Sequence, residues 1–266
     1  MAPSRFAPRR ACAGVVTATA AVLALAGCHS SAGAASAPSS PPAAGSATAD
    51  SSGAAPATSP AAGSGSGVDS YFPAQAGDTW TYTENVGGRQ VTVSHKTTAV
   101  THVTDGTQVT MSQTTNASGS PQTSTFTYIV RPDGSITVPM DFSDGSAGGT
   151  VTSTGLYWPG PAELASGQPV DETPVTTVTL SGQTTKVTAH AVVKGEGSQS
   201  VTVPAGTYPA TVVDEVVTEK ILGYTTTFDS KTWLANGVGP VKEVLTTGAG
   251  SDADAITEVL TSFTKG

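Results

Sequence analysis

The residues of this chain able to do acid–base or metal chemistry are few and scattered. Past residue 67 the histidines are His95, His102 and His190. None falls in an H-x-H or H-E-x-x-H spacing, so no two imidazoles are set to share a metal ion. In one unbroken strand the odd separation of His95 and His102 places them on opposite faces; a turn or bulge between them undoes that. Each reads as an exposed or internally satisfied histidine. Serines are plentiful, but none sits in the G-x-S-x-G elbow that presents a nucleophile. Gly237-Val238-Gly239 lacks the third glycine and the following helix of a dinucleotide loop. Asp252, Asp254 and Glu258, like Asp141 and Asp144, lack the fuller alternation of oxygen ligands and the fixed glycine of a calcium loop, and read as solvated turns. Asp214 and Glu215 are neighbours, which in a strand face opposite sides and cannot work as a carboxylate pair. These patterns predict no catalytic residue, no metal and no cofactor, and so a chain that is not an enzyme. A hydrolase would show itself as one of the three histidines within hydrogen-bond reach of both a serine and a carboxylate.

Composition narrows the classes further. The cysteines are Cys12 and Cys28 alone, which excludes disulfides, thiol catalysis, iron–sulfur clusters and cysteine-ligated zinc from residues 68–266. The precursor carries 20 acids and 12 bases; loss of Arg5, Arg9 and Arg10 with a targeting segment leaves 9 bases and moves the net charge from −8 to −11. That balance offers no basic stripe for nucleic acid and no polybasic clamp on anionic lipid.

The elements that must carry these residues begin with an N-terminal leader. Arg5, Arg9 and Arg10 form a positive region, followed by an apolar stretch from Ala11 to Ala26. About 16 residues are too few to span a roughly 30 Å hydrocarbon layer but suit a signal peptide. The stretch ends Leu25-Ala26-Gly27-Cys28, which resembles the lipobox of bacterial lipoproteins. The resemblance implies a diacylglyceryl group on the Cys28 sulfur, cleavage between Gly27 and Cys28, and Cys28 as mature N-terminus. Two or more acyl chains anchor a protein stably, at about 0.8 kcal/mol per buried methylene. The expected location is therefore the outer face of a cell membrane. Arg9-Arg10 is followed by Ala-Cys-Ala, which departs from a twin-arginine export motif.

Residues 29–67 contain no aromatic residue and no Val, Ile, Leu or Met. With nothing to bury, ordering entropy is not repaid, and the segment 28–67 reads as a lipidated, disordered tether. Its mean reach is roughly 35 Å by the flexible-chain rule and roughly 130 Å at full stretch. The bland reading is a spacer; its Ser, Thr and Pro content also suits O-glycosylation.

From residue 68 to 266 the texture becomes that of one all-β, mainly antiparallel domain, a curled meander sheet or half-barrel. Period-two alternation recurs in runs rich in Val, Thr, Tyr and Phe. Trp80 and Tyr82 share a face, as do Phe126, Tyr128 and Val130. Asp105-Gly106 reads as a hairpin turn between 99–104 and 107–114, and Pro132-Asp133-Gly134 as another turn. Later strands are expected at 173–180, 184–193, 200–204, 208–220, 224–229, 240–246 and 256–263. The best helical segment, 161–166, is a single turn. Tyr71-Phe72-Pro73 with Gly77 is echoed by Tyr157-Trp158-Pro159 with Gly167, a faint sign of duplication.

Three stretches carry a resemblance: Tyr71-Phe72-Pro73 leading to Gly77-Asp78-Thr79-Trp80-Thr81-Tyr82, Val201-Thr202-Val203-Pro204-Ala205-Gly206-Thr207-Tyr208-Pro209-Ala210, and Thr232-Trp233-Leu234-Ala235-Asn236-Gly237-Val238-Gly239-Pro240-Val241-Lys242. In that order they resemble a group of uncharacterised bacterial exported proteins related to the half-barrel carriers of lipoproteins and lipids. The resemblance implies a curled sheet and brings no catalytic residues. Trp80, Tyr82, Trp158 and Trp233 are the large apolar side chains expected to fill the concave side or line a groove there.

The sequence therefore predicts a membrane-anchored extracytoplasmic lipoprotein with a non-enzymatic surface-interaction or structural domain. Its partners would be the membrane through the anchor, and cell-wall components. The alternative is a carrier of a lipid or other apolar ligand in the concave face.

Overall fold

The computed structural model describes residues 71–116, 121–138, 142–144, 149–180, 183–221, 224–247 and 254–266. Gly27, Cys28 and the tether lie outside the described residues, as do Asp141 and Asp252. The strands are β1 (Thr79–Val86), β2 (Arg89–Val103), β3 (Gly106–Asn116), β4 (Gln122–Val130), β5 (Ile136–Val138), β6 (Phe142–Asp144), β7 (Gly149–Ser153) and β8 (Leu156–Trp158). After the helix α1 (Pro161–Ser166) come β9 (Val170–Glu172), β10 (Val175–Leu180), β11 (Gln183–Val203), β12 (Gly206–Ile221), β13 (Tyr224–Ala235), β14 (Gly239–Thr247) and β15 (Asp254–Thr264). Among the described residues no helix is long and apolar enough to cross a membrane.

The fold is all-β and antiparallel, one open sheet. From one edge the strands run β6, β7, then β10 to β15, then β1 to β5, and last β8; β9 pairs beside β11. Two meanders are thus joined where the last strand, β15, pairs with the first, β1. The turns fall where turn chemistry puts them. Gly106 opens β3 at a φ of 149°, and Asp133 binds the Ser135 backbone N–H at 2.9 Å behind Gly134.

The sheet curls because one face of every long strand is apolar and has nothing else to cover it. The core is one cluster, running from Trp80, Val93 and Val109 through Trp158 and Leu164 to Val193, Val213, Leu234 and Leu260. Each such side chain, fully buried, contributes about 1.5–3 kcal/mol. Curling brings the β8 edge round to the other meander: α1, which follows β8, packs on β11, with the Leu164 carbonyl directly over Gly195. Pro161 suits the first helical position, Glu163 accepts from the Gly160 N–H at 3.2 Å, and Gly167 ends the turn in the left-handed region.

Two expectations are corrected. The stretches 184–193 and 200–204 are not separate strands but one 21-residue strand, β11. A register shift between Gly195 and Gly197 absorbs the glycines as a bulge, with Gly197 at a φ of 96°. Similarly, β13 continues past 229 to Ala235, with its own shift between Trp233 and Leu234.

Candidate functional site

Alternation along β1 puts Trp80, Tyr82 and Glu84 on the inner face, all under 5% exposed. Trp80 and Tyr82 help to enclose a cavity of about 70 Å³. Its aromatic wall adds Phe126 and Tyr128 of β4 and Trp158 of β8. Phe72, just ahead of β1, closes one side, with its ring edge-on to Tyr128 and to Trp158 at 6.0 Å. The opposite wall is Thr232 of β13, Glu243 of β14 and the turn from Val238 to Pro240. At about 10–15 Å³ per water the space takes some five waters, well below the roughly 300–1,000 Å³ of a drug-sized pocket.

Three polar tips of this wall are already engaged, whereas the Trp158 Nε1 has no partner. Trp80 Nε1 donates to the Val238 carbonyl at 2.6 Å. Tyr82 OH donates to the Pro240 carbonyl at 3.0 Å, and Tyr128 OH to the Pro73 carbonyl at 3.3 Å. His95 differs. Its ring lies 5.3 Å from Tyr82 and 6.0 Å from Phe126. It is 6% exposed, and its Nε2 has no partner. Burial lowers its pKa to about 4, so the imidazole is neutral at physiological pH.

Beside the cavity runs a row of buried carboxyls. Glu84 of β1 stands opposite Glu258 of β15, and Glu258 opposite Glu243 of β14. Directly opposed positions bring Cβ atoms within about 4.5–5.5 Å. Glu215 of β12, two strands from β14, joins them, close enough to feel Glu243. All four are 5% exposed or less. Both oxygens of Glu84 and of Glu215, and Oε2 of Glu258, have no hydrogen-bond partner. Among the described residues no lysine or arginine is buried, and the ion pairs Lys194–Glu196, Lys231–Asp214 and His190–Asp171 all lie elsewhere.

Desolvation without a counter-charge favours the neutral acid. Burial raises Glu84 to about 7. Burial first, then Glu243, raises Glu215 to about 8. The Trp158 indole N–H pulls Glu215 the other way from outside hydrogen-bond geometry. Glu258 is pushed well up by burial, then by Glu243 and Glu84. The same surroundings raise Tyr82, through burial and then Glu258 and Glu243. Glu219, further along β12, is raised by burial alone.

Of the tryptophans and tyrosine picked out from the sequence, Trp80, Tyr82 and Trp158 meet at the cavity. Trp233 does not. It pairs with Lys242 on β14, one residue out of phase with the Thr232–Glu243 pair that faces the cavity. There it is buried under the Lys242 ammonium at 4.5 Å, and its Nε1 donates to Gln199 Oε1 at 3.0 Å. The histidines stay apart: His102 reaches Thr107 at 3.5 Å and His190 reaches Asp171 at 3.2 Å, both exposed. The shift between Thr97 and Ala99 breaks the parity count between His95 and His102. Glu258 is not in a solvated turn, as its loose acidic spacing predicted, but inside the sheet. Glu84, Glu215, Glu243 and Glu258 had one available signal. Each keeps the inner-face phase of its strand, as in Val213-x-Glu215-x-Val217 and Val241-x-Glu243-x-Leu245.

The fold is shared with solved bacterial structures. A protein of Parabacteroides distasonis designated a candidate lipoprotein matches with a TM-score of 0.55 at 15% identity, over 74% of this chain and 99% of its own. A candidate exported protein of Bacteroides fragilis with a YmcC-like fold matches with a TM-score of 0.51 at 14% identity, over 74% and 100%. No curated protein matches the sequence. Residues 75–244, which include β1 and Glu84, the cavity's aromatic wall and Glu243, match the DUF3108-like family model, and the chain belongs to that family.

Proposed function

We propose that this protein is an extracytoplasmic lipoprotein, moored by acyl chains on Cys28 and lifted off the membrane by its Ala/Ser/Gly/Pro-rich tether, whose half-barrel works by binding and not by catalysis. The observation that carries the binding reading is the aromatic-walled cavity in the concave face, which holds a buried imidazole edge with an unpartnered nitrogen. An extracytoplasmic location is supported by the lipobox and by the likeness in fold to a candidate lipoprotein and a candidate exported protein.

The related carriers make a lipid or other long apolar ligand the second reading, and the aromatic wall favours it. The size of the cavity limits it: about 70 Å³ admits the tip of an acyl chain and no more unless the sheet opens.

Native mass spectrometry of the membrane-extracted protein tests both parts. The expected result is a diacylated Cys28 at the mature N-terminus, together with any ligand the half-barrel retains. Cys28→Ser is expected to give unprocessed or released protein; if it fractionates with membranes at wild-type size, the anchor is elsewhere.

A further inference from the structure

We propose that two copies of this chain pair edge to edge through β4, running antiparallel about a twofold axis at Thr125. The inference goes beyond the binding reading and asks nothing of the cavity.

The edge is open. β4 pairs with β3 along its whole length, whereas β5 covers its far side only at Ile129 and Val130. From Gln122 to Tyr128 every second residue turns its N–H and C=O away from β3, and among the described residues no strand takes them. Residues 122–125 are exposed.

The edge is also unguarded. Exposed edges are ordinarily blunted by charge, proline, a bulge, brevity or a covering element, and the protein uses these elsewhere. β8 is three residues long and runs into Pro159 and Pro161. Beyond its contact with β9, β11 carries Lys194 and Glu196, the register shift between Gly195 and Gly197, and α1 laid against Gly195. The stretch Gln122-Thr123-Ser124-Thr125-Phe126-Thr127-Tyr128 holds no charge, no proline and no glycine, and its pairing with β3 has no shift.

Charge, register and symmetry select a second copy as the occupant. The mature chain carries a net charge of −11, from 20 acids and 9 bases, so two copies repel except where charge is absent. β3 and β4 together hold no Asp, Glu, Lys, Arg or His. Thr125 is the middle of the free stretch. An axis there sets Thr125 against itself and Thr123 against Thr127 of the second copy. Phe126 and Tyr128 line the cavity, so these threonines lie on the convex face. Thr114 Oγ1 already meets Thr123 Oγ1 there at 3.1 Å, and the dimer continues that cross-strand row. A twofold axis normal to the sheet keeps both concave faces on one side. Phe72 and Pro73 meet Tyr128 on that side, so both chains enter their domains from one side, as two anchors in one membrane require. A lone strand pair is small for an interface. The dimer is therefore reversible, and holding both copies on one surface favours it.

The test is disulfide trapping in the purified full chain. Residues 68–266 contain no cysteine, so Thr125→Cys supplies the domain's only thiol. Mild oxidation is expected to link Thr125→Cys chains into dimers at least tenfold faster than Val216→Cys chains, whose cysteine is exposed on β12. Any contribution of Cys28 is common to both. Adding Thr123→Lys and Thr127→Lys, which the register sets against each other, is expected to slow linking at least tenfold. Mixing those chains with chains carrying Thr123→Glu, Thr127→Glu and Thr125→Cys is expected to restore it. All these positions are exposed or half-exposed, and the melting transition is expected to be kept. Should Thr125→Cys fail to fold, a mixture of Thr123→Cys and Thr127→Cys chains replaces it. Linking at residue 125 no faster than at residue 216 overturns the second copy and leaves the edge to a foreign strand. Fast linking that the lysines leave unchanged overturns pairing through β4, and a loss that the glutamates do not restore overturns the register.

Discussion

Glu84 and Glu258 face each other across the β1–β15 pair, each all but sealed from water and without a basic partner among the described residues. Two carboxyl groups so placed cannot both ionise cheaply, and a third, Glu243, stands directly beyond Glu258.

Stability should therefore fall as pH rises through neutrality. In the unfolded chain these carboxyls ionise near 4.5, whereas folded Glu84 holds its proton to about 7 and Glu215 to about 8. Between those limits the unfolded state binds fewer protons, so stability is fully present below pH 4.5 and declines toward pH 8. His95 acts oppositely: its folded pKa of about 4 lies below the ordinary 6.5, so its contribution rises with pH between those values and is constant above. From pH 6.5 to 8 only the carboxyls act. The unfolding free energy from urea titration is expected to drop over that window by an amount on the order of a few kcal/mol, and the midpoint with it. A flat or rising midpoint would show that the carboxyls ionise without penalty.

Glu215→Gln should remove part of that slope. The amide keeps the shape and never charges. At pH 8 the variant is expected to exceed the parent by about 1–3 kcal/mol, and at pH 5 to lie within about 0.5 kcal/mol of it. Equal shifts at both pH values would assign the effect to packing.

Gly195→Ala should separate α1 from β11. A methyl group at residue 195 runs into the main chain of Leu164, carbonyl first, and main chain has no rotamer by which to give way. A loss of about 1–3 kcal/mol is expected. The 160–167 segment should gain hydrogen-exchange rate while β1 and β2 stay protected. Uniform loss of protection would mean that the helix and sheet unfold as one unit.

Phe72→Ala removes the ring that meets both Tyr128 and Trp158. Phe72 is half-buried, so about 2 kcal/mol is expected, less than the 3–5 kcal/mol of a core phenylalanine. The melting temperature should fall by about 4–8 °C, and the emission of Trp158 should move to the red as the cavity opens. An unmoved spectrum would mean that another side chain fills the gap.

The β class, the Asp105-Gly106 and Pro132-Asp133-Gly134 turns and the inward set Phe126, Tyr128 and Val130 were legible because alternation and turn chemistry are local. β11 was not, because a glycine pair reads the same whether it ends a strand or bulges one, and only the neighbours β12 and α1 decide. Trp233 joins the buried core as expected, but alternation with Thr232 keeps it out of the cavity lining, which only the pairing of β13 with β14 reveals. The carboxyl row was hidden by chemistry. A glutamate in a strand is ordinarily expected on the wet side, and phase alone, without knowledge of which strands become neighbours, does not outweigh that.

The echo between the two aromatic-proline elements has a spatial counterpart, since Phe72 of the first touches Trp158 of the second. Phe72 and Pro73 are also the lead-in through which the chain ahead of residue 71 joins the sheet. Any tension arriving along that lead is borne first by a ring wedged in the cavity's rim. An occupant beneath it would act as a chock, so how firmly the domain resists being tugged would depend on whether its chamber is full.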